Sequence, residues 1–169
     1  MENIFRNGHF IKKYRGEKAI ASVMEIPAEP VKSLFSQILD GTVESISEAD
    51  FDENLTKIYN YRFAYFSNIK SVTIPNHIQN LGNGFCLECP NLESLTLGTG
   101  ITSIGSGFVQ YTSTKKLKSI TIYAVVPPAL ASQSSSGMDT LQTIYVPVSS
   151  VNAYKTAWPS YADKIQAIV

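Results

Sequence analysis

The stretch that decides the fold reads Gly84-Phe85-Cys86-Leu87-Glu88-Cys89-Pro90-Asn91-Leu92-Glu93-Ser94-Leu95-Thr96-Leu97-Gly98-Thr99-Gly100-Ile101-Thr102-Ser103-Ile104-Gly105-Ser106-Gly107. Residues 92–97 alternate, so Leu95 and Leu97 share one face of a short strand while Ser94 and Thr96 share the other. Gly98, Gly100 and Gly105 supply turns. The pattern returns along the chain. Val72 and Ile74 precede Leu95 and Leu97 at an offset of 23, Ile120 and Ile122 follow at 25, and Ile144 and Val146 at a further 24. Ile78, Leu81 and Gly82 recur, again at an offset of 23, as Ile101, Ile104 and Gly105, and Leu55 and Ile58 stand 23 before Ile78 and Leu81. Phe63, Phe85 and Phe108 mark successive units.

A period of about 20 to 30 residues signals stacked repeats. One unit cannot bury both its strand face and its Phe, so the core exists only as an array. The expected fold is therefore a repeat solenoid of α+β composition, built mainly from short parallel strands. Counting back by 23 from Ile74 lands on Phe51, so a degenerate first unit is expected to begin near Ser45. Between Phe108 and Leu117 the chain gains two residues, which places a loop insertion at 111–116.

The flanks lack the repeat. Pro30 followed by Val31, Leu34, Phe35, Ile38 and Leu39, then Gly41, predicts an amphipathic helix over 30–40 that caps the open end. Ahead of it, 10–14 and 19–26 suit a weakly patterned hairpin turning at Arg15-Gly16-Glu17. After the array, Ser149 or Ser150 is placed to N-cap a helix with Val151, Tyr154 and Trp158 on one face, stopped by Pro159. Tyr161, Ile165 and Ile168 would cover the last strand edge. The division expected is an attachment or capping segment at 1–44, a solenoid at 45–147 and a C-terminal cap at 148–169.

Composition narrows the function. Fourteen Lys and Arg balance fourteen Asp and Glu, which leaves no electrostatic footprint for a nucleic acid. No run reaches the roughly 18 apolar residues of a membrane helix, and the opening stretch, 1–15, contains no secretory h-region.

The units Ser71-Val72-Thr73-Ile74-Pro75 and Leu81-Gly82-Asn83-Gly84-Phe85, followed by Cys89, Asn91 and Leu92, resemble the BspA-type leucine-rich repeat. The ending, Pro127-Pro128, Ile144-Tyr145-Val146-Pro147, Ala153-Tyr154-Lys155, Ala157-Trp158 and Asp163-Lys164-Ile165, is similar to the terminus of that family. The resemblance covers about 45–169. It implies repeats of about 23–25 residues, within the range of leucine-rich repeats, with a helix cap at the N-terminal end and a helix/strand cap at the C-terminal end. It also implies a non-catalytic adhesion or interaction module that needs no cofactor. More loosely, Ile38-Leu39-Asp40-Gly41-Thr42-Val43-Glu44 through Phe63 resembles the start of short repeat proteins of phages and prophages. That likeness implies a virion component, with a bacterial-surface module as the alternative.

Catalytic leads are few. Cys86-Leu87-Glu88-Cys89 has redox or half-zinc spacing, but it lacks a helix N-terminus, and only His9 and His77 could add zinc ligands. Core packing fits these thiols better; a disulfide or a thiol-redox role stays open. Ser134-Ser135-Ser136-Gly137 lacks the strand and helix of a nucleophile elbow. Asp50, Asp52 and Glu53 lack the twelve-residue calcium loop.

The patterned polar surface is the outward strand face. Ser71, Ser94, Ser119 and Thr143 should form one column, and Thr73, Thr96, Thr121 and Tyr145 the next, at the ~4.8 Å strand spacing. Such hydroxyls could satisfy one another, or bind a glycan or an extended protein partner. Ile4, Phe5, Phe10 and Ile11 are the expected apolar contacts of the attachment segment, to phage capsid or tail proteins in the virion reading. A homo-oligomer is compatible with the sequence.

Overall fold

A computed structural model describes residues 43–109, 116–131 and 141–169, with the backbone of 5–6 and 9–10. The expected 30–40 helix, the hairpin at 15–17, Ile4, Ile11, and the insertions at 111–115 and 132–137 lie outside the described residues.

Strands are numbered along the chain. β1 (Phe5–Arg6) and β2 (His9–Phe10) pair antiparallel, Phe5 opposite Phe10. From there the strands interleave between two parallel sheets. The longer sheet takes β3 (Ser45–Ile46), β5 (Ser71–Ile74), β7 (Ser94–Leu97), β9 (Ser119–Ile122), β11 (Thr143–Val146) and β12 (Ile165–Ala167), in that spatial order. The shorter sheet takes the two-residue strands β4 (Lys57–Ile58), β6 (Asn80–Leu81), β8 (Ser103–Ile104) and β10 (Ala129–Leu130). The first four coils of the array thus contribute one strand to each sheet, while β11 and β12 add to the longer sheet alone.

The register is the one that the sequence offsets demand. Leu95 pairs with Val72 and with Ile120, and Ile120 with Ile144. All four are buried, as are Ile74, Leu97, Ile122 and Val146 two residues on, because a strand repeats its face every second residue. They join Leu81 and Ile104 of the second sheet in one apolar cluster. Phe63 meets Phe85 edge to face at 5.4 Å, and Phe85 and Phe108 are fully buried.

Two expectations need correction. The strand before β5 aligns Ile46 with Val72, an offset of 26, so Phe51 is not the counterpart of Ile74. Phe51 instead packs edge-on against Phe63 at 6.1 Å and extends the aromatic stack. At the far end, Ser150 occupies the N-cap position of α1 (Val151–Ala157), but its side chain forms no cap bond. A 3-10 turn at Val148–Ser150 leads into the helix, leaving Ser150 near helical angles (φ −106, ψ −5) rather than in the extended backbone that aims a capping hydroxyl.

Pro159 opens another 3-10 turn where α1 ends, and β12 then adds a sixth parallel strand to the edge of β11. Tyr154 donates its hydroxyl to the Ala124 carbonyl at 2.8 Å, and Trp158 its Nε1–H to Pro128 at 3.1 Å. These two bonds fasten the cap to the loop that follows β9. Among the described residues, no helix is long and apolar enough to cross a membrane.

Candidate interaction surfaces

The outward columns form in the predicted register. Ser71 lies beside Ser94, Ser94 beside Ser119 and Ser119 beside Thr143; Thr73, Thr96, Thr121 and Tyr145 align likewise. Ser45 extends the first column beyond Ser71, and Gln166 extends the second beyond Tyr145. Ser94 is exposed and the other predicted members are half-buried.

The columns do not satisfy themselves. None of the eight side-chain hydroxyls hydrogen-bonds to a described protein group. Adjacent strands lie ~4.8 Å apart, and hydroxyls stacked in one orientation cannot reach one another across that gap. Longer amides can. Asn80 reaches Ser103 one coil away at 2.8 Å, and Asn91 reaches the Ser67 carbonyl. The result is a row of hydroxyls open to solvent or to a ligand.

A second device escaped the sequence reading. Asn60 Oδ1 accepts the N–H of Asn83, and Asn83 Oδ1 that of Ser106, at 2.8 and 2.9 Å. Asn76 does the same for Thr99 at 2.9 Å. The signal was present in Asn60 and Asn83, which share the offset of 23. These side chains join neighbouring coils in the turns between the two sheets, beside backbone bonds such as Tyr61 N–H to the Asn83 carbonyl.

The rim after β9 and β11 is apolar. Tyr123, Val125, Val126 and Val148 are all exposed there, Val126 at 76%. Earlier coils carry Asn76-His77 and Thr99-Gly100 in the corresponding turns.

Cys86 and Cys89 are separate thiols, both fully buried. Cys89 donates to the Phe63 carbonyl at 2.8 Å. Desolvation, then a hydrogen bond and the charge of Cys89, pushes the Cys86 thiol far above its ordinary range, the reverse of what a nucleophile needs. Among the described residues, no His, Cys, Asp and Glu group is placed to hold a metal. Asp50 and Asp52 instead accept local bonds from Ser47 and Asn54.

Stacked parallel coils around a continuous Leu, Ile and Phe core define a leucine-rich-repeat solenoid. The chain belongs to the family of the BspA type leucine rich repeat region, whose model matches six copies over residues 18–118. That match begins ahead of Ser45 and ends just before β9. No curated protein matches the sequence. Among solved structures, a leucine rich cell surface protein from Faecalibacterium prausnitzii A2-165 is similar, with a TM-score of 0.51 at 18% identity over 75% of this chain. The chain spans 31% of that protein's length.

Proposed function

We propose that this chain is a non-enzymatic adhesion module of a bacterial surface that holds an extended protein partner against the hydroxyl columns of its longer sheet. The observation carrying the reading is the row from Ser71 to Tyr145, in register yet without hydrogen bonds to described protein groups. It is an uncharged surface of donors and acceptors spaced ~4.8 Å from strand to strand and about 6.6–6.8 Å along each strand, the latter being the same-side repeat of an extended backbone laid along the strands. The description of the similar solved structure as a cell surface protein supports this setting over a phage particle. The virion reading, with Phe5 and Phe10 in an attachment segment to capsid or tail proteins, draws support only from the looser likeness of 38–63 to phage proteins. Portal or tail genes beside this one would revive it.

The test is a variant carrying Ser94→Lys, Thr96→Lys, Ser119→Lys and Thr121→Lys. Partners would be selected from peptide and glycan libraries with the unmodified chain, and the affinity of each compared between the two proteins. Loss of binding with an unchanged thermal transition is expected. Retained binding would remove this face from the mechanism, and selection of glycans alone would replace the protein partner by a carbohydrate.

A further inference from the structure

Six large apolar side chains are exposed among the described residues, and four of them, Tyr123, Val125, Val126 and Val148, fall in the two turns that follow β9 and β11. The strand register brings those turns together. Tyr145 pairs with Thr121, so Tyr123 and Pro147, each two residues on, stand just past the ends of neighbouring strands, with Val148 next. The loop is tethered on both sides. Tyr123 N–H donates to the Leu97 carbonyl at 2.9 Å, and the carbonyls of Ala124 and Pro128 accept from Tyr154 and Trp158 of the cap helix. Val125 and Val126 stand between these tethers, ahead of two prolines that fix φ. Little freedom is left to lose when something binds them.

The outward face changes character from one end of the strands to the other. Lys70, Glu93 and Lys118, all exposed, immediately precede β5, β7 and β9. The turns at the opposite ends, 75–79, 98–102, 123–128 and 147–150, contain no Asp, Glu, Lys or Arg. Along β9 the alternation of outward and buried residues continues past the last paired residue, through exposed Tyr123 and buried Ala124. Ser119, Thr121 and Tyr123 therefore share one side, about 6.6–6.8 Å apart. The four apolar side chains leave a patch of about 400 Å², within the range of functional patches on monomers. Each partner of a stable dimer buries about 800 Å², so the patch suits a short segment and not a second copy of this chain.

We infer that this rim is the apolar anchor of the partner face, taking one aliphatic or aromatic side chain of an extended, uncharged polypeptide segment. The side chains two and four residues from the anchored one carry hydroxyls or amides and lie over Thr121 and Ser119. An extended backbone repeats at the interval of Ser119, Thr121 and Tyr123, so one segment meets all three in register. A charged side chain at the rim would lose water without gaining a partner in those turns. The inference rests on the proposed partner face and adds to it a register and a side-chain class.

The experiment is an NMR titration of the full chain with a capped pentapeptide carrying threonine, threonine and leucine at alternate positions, with alanine between them, and with its reversed sequence. Saturable shifts at Thr121, Tyr123 and Val126 are expected for one of the two directions, with Kd of about 0.3–3 mM. Serine or aspartate in place of the leucine should weaken binding about 5- to 10-fold, and leucine at the central position about 3- to 10-fold. Val126→Ser with Val148→Ser should weaken the leucine peptide by a similar factor yet leave the serine peptide unchanged, which a folding defect could not do. The four-lysine variant of the columns should weaken both peptides alike. Equal binding of the serine and leucine peptides, or no effect of the two valine substitutions, would overturn the anchor and leave the partner face standing. A four-lysine variant that binds as the unmodified chain does would overturn the face and the register with it. Tighter binding of a methyl glycoside at the same residues would overturn the polypeptide assignment. So would self-association, read as concentration-dependent line broadening that the two valine substitutions remove.

Discussion

Gly105→Ala tests whether the close stacking of coils holds this protein together. Gly105 has no left-handed backbone to protect, so the substitution acts through space alone. A Cβ there would lie 2.6 Å from Asn83 N, Asn83 Oδ1 and Gly82 C, all in the preceding coil. Ordinary contact begins near 3.4 Å, so the coils must part by about 0.8 Å. The bond from Gly105 N–H to the Leu81 carbonyl, now 2.9 Å, would stretch to about 3.7 Å and fail. The bond from Ser106 N–H to Asn83 Oδ1, also 2.9 Å, lies in the same contact and would go with it. At about 1 kcal/mol each, plus loosened packing around the buried Ile104 and Phe108, the cost is about 2–4 kcal/mol. Equilibrium urea unfolding followed by circular dichroism should show the midpoint falling by about 1–2 M. Removing the amide as well, in Asn83→Ala with Gly105→Ala, should cost less than the sum of the two changes, since they share one contact. An unchanged or raised midpoint for Gly105→Ala would refute the reasoning, because relief of unfolded-chain entropy alone stabilises such a change by about 0.4–1 kcal/mol.

Tyr154→Phe should cost about 1–3 kcal/mol, since it leaves the Ala124 carbonyl unpartnered in the interior; thermal unfolding would measure it. Burial also raises the Tyr154 phenol above its ordinary 10.0, so its share of stability is complete below pH 10 and declines as the unfolded tyrosine ionises above it. The phenylalanine variant should therefore lose less stability between pH 9 and 11, and parallel alkaline limbs would contradict this. Cys86 and Cys89 should resist iodoacetamide in the native chain and react promptly once it is unfolded, as read by mass spectrometry. Rapid native modification, or zinc retained through gel filtration, would overturn their assignment to the core.

Much of the fold was legible because the repeat is a local code. The offsets from Val72 through Leu95, Ile120 and Ile144 became strand register residue for residue, and the hydroxyl columns followed from the same spacing. The second sheet was visible only as apolar positions, Ile58, Leu81 and Ile104. Strands of two residues leave no alternation to read. Phe51 was set opposite Ile74 because counting back assumed a constant period, whereas the opening coil, which starts with β3 at Ser45, is longer and Ile46 answers to Val72. The positive φ of Tyr61, Tyr65 and Glu88 was invisible for another reason. Nothing in a tyrosine or glutamate announces positive φ; only the stacked turns, where Tyr61 aligns with Gly84 and Tyr65 with Glu88, reveal it.

The sequence by itself determined that this chain is a solenoid, which residues line its core, and which hydroxyls share a column, because the alternation of side chains and a fixed offset are properties of order along the chain. Tertiary structure alone decided whether those hydroxyls were already satisfied, which amides tie coil to coil, and which turn residues adopt positive φ. Those outcomes depend on distances of a few ångströms between coils: hydroxyls stacked in one orientation ~4.8 Å apart miss one another, whereas the Asn80 amide crosses to Ser103.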